Sequence, residues 1–203
     1  MPAKFKLGFA LAILVLPVAW VVERQDRVAL QNRLSAVATE IAERPVEVRC
    51  PGWWGRLLSP ADTTAGAVQV DAEGRVADHA ELRTVTCAEL EAMIEGGRED
   101  QLACAARSTS CGEDVQRTAW AVNTLAHEAI HLRGILDEGI TECYAVQHLA
   151  AAAQRLGATP AQAQNLALLH WETGVPQLPQ RYRAKDCGDG APLDLRPNDP
   201  VWP

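Results

Sequence analysis

The first hydrophobic segment of the chain is an uncharged run from Leu7 to Val22, which lies between Lys6 and Glu23. A basic start, an apolar run and then a polar chain are the layout of an export signal. The run is shorter than the roughly 20 residues that span a bilayer, but long basic side chains at its ends can reach the membrane surface. It ends without the small residues of a cleavage site. Residues 1–22 are therefore predicted to be an uncleaved signal anchor with a transmembrane helix.

The segment that follows has a helical period. Residues 23–45 carry apolar side chains on one face of a helix, and Pro45 ends the pattern. These apolar positions are Leu30, Leu34, Val37 and Ile41. The pattern predicts a helical stalk between the membrane and an exported domain that covers residues 46–203.

Alternating apolar and polar residues after Pro45 predict a small β element. Residues 46–50 alternate in this way and are predicted to form one strand. Residues 68–70 and 75–82 are predicted to form a hairpin, because the turn between them contains Gly74.

Helical patterns dominate the rest of the chain. Thr86 and Glu89 have the spacing of a capping box, and Gly96 follows at the predicted end of that helix, before a loop. Caps and glycine stops predict three longer helices, which cover residues 113–133, 137–156 and 160–173. The proline-rich tail, residues 175–203, is predicted to be coil. The predicted fold class is α+β and mostly α: a helical bundle with a small β-hairpin or sheet.

Charge and cysteine content narrow the functional classes. Among the 203 residues, 26 are acidic and 19 are basic, which gives a net charge of −7 and argues against a nucleic-acid partner. All six cysteines follow the hydrophobic run, and an even number is typical of an oxidising compartment. The domain is therefore predicted to be extracytoplasmic and disulfide-stabilised. One disulfide is expected between Cys104 and Cys111, and another is expected to fix the tail through Cys187.

The strongest chemical signal is the sequence HEAIH at residues 127–131, an HExxH motif within the first of the long helices. His127 and His131 lie one helical turn apart on the same face, where both imidazoles can bind one zinc ion. Glu128 lies beside that face and is positioned to take a proton from water as a general base. The sequence predicts one Zn²⁺ per chain.

Three carboxylates compete to be the third zinc ligand. Asp137 completes a pattern that resembles the metzincin motif, with aspartate in place of the last histidine. Glu138 and Glu142 follow on the next predicted helix. If the two helices pack antiparallel, Glu142 lies level with the gap between the histidines, while Asp137 is suited to capping the helix and Glu138 to orienting a ligand. This geometry favours Glu142 and leaves Asp137 as the alternative.

The stretch over residues 124–147 also resembles the two-helix core of gluzincin-type metallopeptidases, in which HExxH on one helix faces a glutamate on the next. The resemblance implies zinc held by His127, His131 and Glu142, with Glu128 as the general base for amide hydrolysis. It implies a peptide or protein substrate.

Other candidate residues are less specific. A peptidase needs a hydrogen-bond donor for the developing oxyanion, and spacing does not separate the available donors, which are Arg133, Tyr144, His148, His170 and Tyr182. The neighbouring Trp53 and Trp54 are predicted to pack in the core. The leading hypothesis is a membrane-anchored, exported zinc metallopeptidase. The alternative is a non-catalytic zinc-binding or disulfide-stabilised interaction protein of the cell envelope.

Overall fold

A computed structural model describes residues 3–52, 65–108 and 110–203, and for residues 3–22 it describes the backbone alone. These residues form six α-helices and a three-stranded sheet, so the fold is α+β and mostly helical, as predicted. The helices are α1 (Ala3–Ala42), α2 (Thr84–Ile94), α3 (Glu99–Ala105), α4 (Glu113–Leu132), α5 (Glu138–Arg155) and α6 (Pro160–Leu169). The strands are β1 (Glu47–Arg49), β2 (Gly66–Val70) and β3 (Val76–Leu82). A π-helical turn (His170–Gly174) and two 3-10 turns (Val175–Gln177 and Gln180–Tyr182) follow α6.

The second half of α1 contributes to the core of the domain. The apolar face that predicts a stalk over residues 23–45 is buried, with Leu34 and Ala38 at 0% exposure. This face contacts α4 and β1. At the end of the helix the Arg44 guanidinium donates hydrogen bonds to the carbonyls of Leu132 and Ala77, each at 2.7 Å. The segment therefore packs as part of the domain instead of standing apart from it.

The sheet has the strand order β1-β3-β2. β1 pairs with β3 in parallel and β2 pairs with β3 antiparallel, which confirms the predicted hairpin. Gly74 in the connecting turn has a φ of 78°, which L side chains rarely adopt. β2 lies at one edge of the sheet and contacts α4.

α4 is the central helix, because it contacts α1, α2, β2, β3, α5 and α6. The predicted starts of the two helices that follow it are confirmed. The Asp137 carboxylate accepts a hydrogen bond from the backbone N–H of Ile140 at 2.9 Å, and Thr159 and Gln162 form a capping box at the start of α6. Gly134, with a φ of 99°, ends the turn region after α4 and lets the chain reverse into α5.

Two local predictions are wrong. α2 begins at Thr84, and the Thr86 side chain does not cap it; the Thr86 hydroxyl instead donates to the Ala65 carbonyl at 2.9 Å, a tertiary contact that local spacing does not reveal. The predicted loop after Gly96 contains the short helix α3, whose buried residues Leu102 and Ala105 add to the core.

All six cysteines are paired. The disulfides join Cys50 with Cys87, Cys104 with Cys111, and Cys143 with Cys187. The expected local pair and the expected link from the tail are therefore confirmed. Cys143 lies on α5, so the third disulfide holds the tail against that helix. The Gln147 side chain adds two contacts, because its amide donates to the Leu193 carbonyl at 2.9 Å and accepts from the Leu195 N–H at 2.7 Å.

Within the described part of the chain, no helix combines the length and the apolar character that a membrane span needs. The predicted anchor, residues 1–22, falls on positions whose side chains lie outside the described residues. Trp53 and Trp54 also lie outside them. The predictions for these residues stay predictions.

We expect the Cys50–Cys87 disulfide to stabilise the fold more than the Cys104–Cys111 disulfide. The linked residues are 37 and 7 positions apart, and the longer closed loop restricts the unfolded chain more. Replacing both cysteines of each pair by alanine should lower the free energy of unfolding by about 1.5 kcal/mol more for the Cys50–Cys87 pair. Urea unfolding of the two double variants measures this difference. Equal losses would show that native-state packing outweighs the loop effect.

Candidate metal centre

The centre begins with the two histidines of the HExxH motif on α4. The His127 and His131 rings meet edge to face, with centroids 4.7 Å apart and an interplanar angle of 85°. This arrangement follows from helical geometry, since residues four apart lie one above the other on one face. Both rings are largely covered, with side-chain exposures of 10% and 13%.

Glu138, the first residue of α5, supplies the third group. Its Oε2 atom lies 3.1 Å from Nε2 of His127 and 3.4 Å from Nε2 of His131. The donor atoms of these three residues all lie within 4.8 Å of one another. The turn that ends at the Asp137 cap determines where α5 begins, and so it places the Glu138 carboxylate opposite the two imidazoles.

The spacing of these three atoms suits a zinc ion. Ligands bound tetrahedrally at about 2.1 Å lie about 3.4 Å from one another, which is close to the two distances from Glu138 to the histidine nitrogens. Imidazole nitrogen and carboxylate oxygen are also donor types that zinc takes in proteins. The residues present therefore fit this metal by donor chemistry and by spacing.

The other ring nitrogen of each histidine faces an acceptor in the protein. Nδ1 of His131 donates to the Ile135 carbonyl at 2.7 Å, and Nδ1 of His127 donates to Oε2 of Glu142 at 2.9 Å. A hydrogen on each Nδ1 leaves Nε2 as the atom that can bind a metal. Such outer contacts fix the tautomer and the orientation of metal-binding histidines.

Without a metal, the two histidines differ in basicity. Burial alone would lower the pKa of His127, but hydrogen bonds to Glu138 and Glu142 raise it above its ordinary value. Burial is the main cause that lowers the pKa of His131. A proton on His127 therefore occupies the place between His127 and Glu138, and a bound metal would replace that proton.

Glu142 is the most completely satisfied polar group of the centre. Its side chain is 5% exposed, and its two oxygens accept hydrogen bonds from Asn123 Nδ2 at 3.0 and 3.2 Å. Nε2 of His170 donates to Oε1 at 3.0 Å. Burial alone would raise the pKa of Glu142, but the hydrogen bonds from His127 and His170 hold it well below its ordinary range.

The structure thus separates the three carboxylates that compete in the sequence. Glu138 converges with the two Nε2 atoms, while Glu142, which the sequence favours as the third ligand, lies behind His127 and contacts its Nδ1. Asp137 caps α5 through its Oδ1 atom. Glu138 therefore occupies the place beside the two Nε2 atoms that the sequence analysis expects for Glu142, and Glu142 lies at Nδ1 of His127.

Glu128, the predicted general base, is 6% exposed and lies against β2. A Cβ atom on Gly66 would lie 2.7 Å from Oε1 of Glu128, so only glycine allows this approach. The Glu128 carboxylate makes no hydrogen bond with any described residue. Burial raises its pKa to about 7, while the nearby charge of His127 acts in the opposite direction. Glu128 is therefore less acidic than Glu138 and Glu142, whose pKa values are lowered.

Sequence reasoning missed Asn123 and did not single out His170 or Tyr182 among the candidate donors. Asn123 precedes His127 by one helical turn, and this spacing was a signal that could have identified it. His170 and Tyr182 are candidate oxyanion donors in the sequence analysis, but only the fold brings them here. The His170 ring packs edge-on against Trp120 with centroids 4.9 Å apart, and the Tyr182 ring centroid lies 5.8 Å from that of His127.

The remaining predicted donors lie elsewhere, and Tyr144 packs against the hydrophobic core. Arg133 forms an ion pair with Glu43 at 2.8 Å. His148 is half-buried, its Nε2 atom is buried without a partner among the described residues, and the charges that act on it come from Arg133, Arg196 and Glu43. Among the described residues, neither the Arg133 nor the His148 side chain contacts His127 or His131.

Comparison of the chain with protein-family models, curated proteins and solved structures gives no match. The resemblance to gluzincin-type metallopeptidases therefore stays a prediction. The case for a metal depends on the side-chain geometry described above.

We expect Glu142→Gln to destabilise the metal-free protein by about 2–4 kcal/mol at pH 7, because it breaks a buried, fully paired charge site. The pKa of Glu142 is lowered by folding, so its contribution is present above the ordinary carboxyl pKa and is lost as the pH falls. The difference between the variant and the unmodified chain should therefore shrink from pH 7 to pH 3. Urea unfolding at both pH values measures it.

Glu172→Gln is the control for this experiment, because Glu172 is exposed and forms no recorded ion pair among the described residues. It should unfold like the unmodified chain at both pH values. A Glu142→Gln difference that is constant with pH would show that the Glu142 carboxylate is not charged in the folded protein.

Proposed function

We propose that this chain is a zinc-dependent peptidase with its metal centre on α4 and α5. One observation carries the proposal: Oε2 of Glu138 lies 3.1 Å from Nε2 of His127 and 3.4 Å from Nε2 of His131, and one donor atom of each residue lies within 4.8 Å of the others. Both Nδ1 atoms face protein acceptors at the same time. A three-ligand metal site requires that the two Nε2 atoms and one carboxylate oxygen meet in this way.

The proposed ligands are His127, His131 and Glu138, and Glu142 orients His127 from behind. A catalytic zinc site keeps one position open for water or substrate. The Glu138 side chain is 36% exposed, so the centre is accessible from the side of α5 on which Glu138 lies. Zinc in such a site supplies Lewis acidity, which polarises a carbonyl and makes water more acidic.

Glu128 is the proposed proton carrier. Glu128 follows His127 on α4, and its carboxylate would accept a proton from the attacking water and return it to the leaving amine. The absence of a hydrogen bond between Glu128 and any described residue leaves its oxygens free for this exchange. The carboxyl group lies against the backbone of β2, where Gly66 leaves space for it.

The position of β2 supports a peptide as the substrate. β2 is an edge strand, and its residue Gly66 lies against the proposed base Glu128. An extended peptide can add to such an edge through main-chain hydrogen bonds. A peptide bound in this way would run past Glu128, where its amide bond is to be cleaved. Tyr182, whose ring centroid lies 5.8 Å from that of His127, is the proposed donor to the oxyanion.

The disulfides support the proposed location outside the cytoplasm. All six cysteines lie in the described part of the chain and are paired, which is typical of proteins from oxidising compartments. We propose that the domain is exported and that residues 1–22 hold it at the membrane.

We expect the unmodified chain to bind one zinc ion and Glu138→Gln to lose it, because the amide replaces a charged ligand. Glu142→Gln should bind zinc about 10–100-fold more weakly, as expected for a group that orients a ligand. Asp137→Asn is the matched control, since asparagine still caps the helix, and it should bind zinc normally. Elemental analysis and competition with a coloured chelator measure stoichiometry and affinity.

This series also decides which glutamate is the third ligand. Retention of zinc by Glu138→Gln together with its loss from Glu142→Gln would restore the assignment that the sequence favours. An unmodified chain that takes up no zinc at neutral pH would refute the metal centre.

We expect Glu128→Gln to keep its zinc and to lose peptidase activity by at least about 100-fold, because it removes the general base. Cleavage of a mixed peptide library, followed by mass spectrometry, measures activity. An unmodified chain that binds zinc but cleaves nothing, and behaves like Glu128→Gln in every assay, would favour the non-catalytic zinc-binding module.

A further inference from the structure

A cleft of about 450 Å³ opens beside the candidate metal centre, between α5, the π-helical turn and the tail. This volume is within the range of about 300–1,000 Å³ that is typical of ligand sites. Tyr182 joins the two places, because it lines the cleft while its ring lies 5.8 Å from that of His127. Glu142 also lines the cleft and contacts His127 from behind. Tyr182 and Glu142 are therefore neighbours of both the cleft and His127.

The walls of the cleft are mainly apolar. α5, the π-helical turn, the 3-10 turn that follows it and a disulfide each contribute, through Val146, Trp171, Val175, Pro176 and the Cys143–Cys187 pair. An apolar group that enters the cleft removes this surface from water, which is favourable. The Trp171 side chain offers a flat face on which an aliphatic or aromatic group can pack.

The charged residues of the cleft do not select a charged ligand. Both oxygens of Glu142 accept hydrogen bonds inside the protein, so its charge is already compensated. Glu172 and Arg183 line the exposed rim and carry opposite charges. The net charge of this rim pair is zero, and the cleft favours a neutral side chain.

We propose that the cleft is the specificity pocket of the peptidase and binds a large aliphatic or aromatic side chain of the substrate residue next to the cleaved bond. This inference rests on the proposed function, because that function places a peptide at the histidine pair. The substrates are then peptides with a residue such as leucine or phenylalanine beside the cleaved bond. Residues with short or charged side chains at that place are poor substrates.

Val175→Glu tests the pocket, since Val175 is half-buried on its wall and the change puts a negative charge there. Val85→Glu is the matched control, because Val85 is 71% exposed on α2 and does not line the cleft. Thermal unfolding of both variants checks that they fold. Neither residue belongs to the proposed metal centre.

Two sets of probes report binding without turnover. The hydroxamates of N-acetylphenylalanine and N-acetylglycine, which chelate zinc and differ only in the side chain, are titrated calorimetrically into the zinc-loaded full chain. N-acetylphenylalaninamide, which does not chelate zinc, is titrated into the zinc-loaded and the metal-free chain. The NMR signal of the Trp171 indole N–H then reports entry into the cleft.

We expect the phenylalanine hydroxamate to bind at least about tenfold more tightly than the glycine hydroxamate, because an aromatic side chain is buried. Val175→Glu should reduce this ratio to below about threefold, and Val85→Glu should leave it unchanged. The amide should shift the Trp171 signal in the unmodified chain and not in Val175→Glu. Equal affinities for the two hydroxamates, or a ratio that Val175→Glu leaves unchanged, would overturn the inference.

Failure of the pocket and failure of the proposed function give different results. Cleavage of peptides without any side-chain preference would reject the pocket and keep the peptidase. A side-chain preference in binding without any cleavage would reject the peptidase and keep the cleft as a ligand site. If the chain binds no zinc, the Trp171 signal of the metal-free protein alone shows whether the amide binds in the cleft.

Discussion

The geometry of the candidate centre depends on one buried carboxylate, that of Glu142. A charge in the interior is tolerated only when it is paired and hydrogen-bonded. Glu142 meets this requirement through donors from two other parts of the chain: Asn123 and His127 on α4, and His170 in the π-helical turn. The cost of leaving any of these groups unpaired fixes α5 against α4 and brings the turn after α6 onto both. His127 is oriented by the same contact, so fold and site share one constraint.

The tail extends this arrangement outward. The Cys143–Cys187 disulfide begins at the residue after Glu142, and the Gln147 side chain binds the tail backbone one turn further along α5. These links position the 3-10 turn that carries Tyr182 next to His127. The tail, which has little regular structure, thereby forms one wall of the cleft. Local helix or strand propensity alone would not hold this segment in place.

The parts of the fold that obey local rules were predictable. Caps at Asp137 and Thr159 and the glycine turn of the hairpin could be identified from the sequence because their partners lie within a few residues. The contact of the Thr86 hydroxyl could not be predicted, because its partner is the Ala65 carbonyl, which precedes β2. The α3 helix could not be predicted either, because its stability depends on packing in the tertiary core.

The residues of the site also fall into those that local spacing predicts and those that it does not. The histidine pair follows from helical period alone. The order of Glu138 and Glu142 does not, because it depends on where α5 begins and on the donors that reach Glu142 from His170, 28 positions away in sequence. Spacing along an assumed antiparallel pair gives the depth of each carboxylate, but it does not give the ring nitrogen that each one faces.

Two buried glutamates of the centre therefore have opposite properties. Glu142 has its oxygens fully hydrogen-bonded, and its pKa lies well below the ordinary range; Glu128 makes no hydrogen bond to a described residue, and its pKa rises to about 7. Environments that move two carboxyl pKa values apart divide the roles between a group that stays charged and a group that exchanges protons. The group that stays charged stabilises the fold and orients His127, and the group that exchanges protons would take part in the proposed reaction. The histidine pair and Glu138 carry the case for a metal, and the separation of the two carboxyl pKa values fits the roles proposed for Glu142 and Glu128.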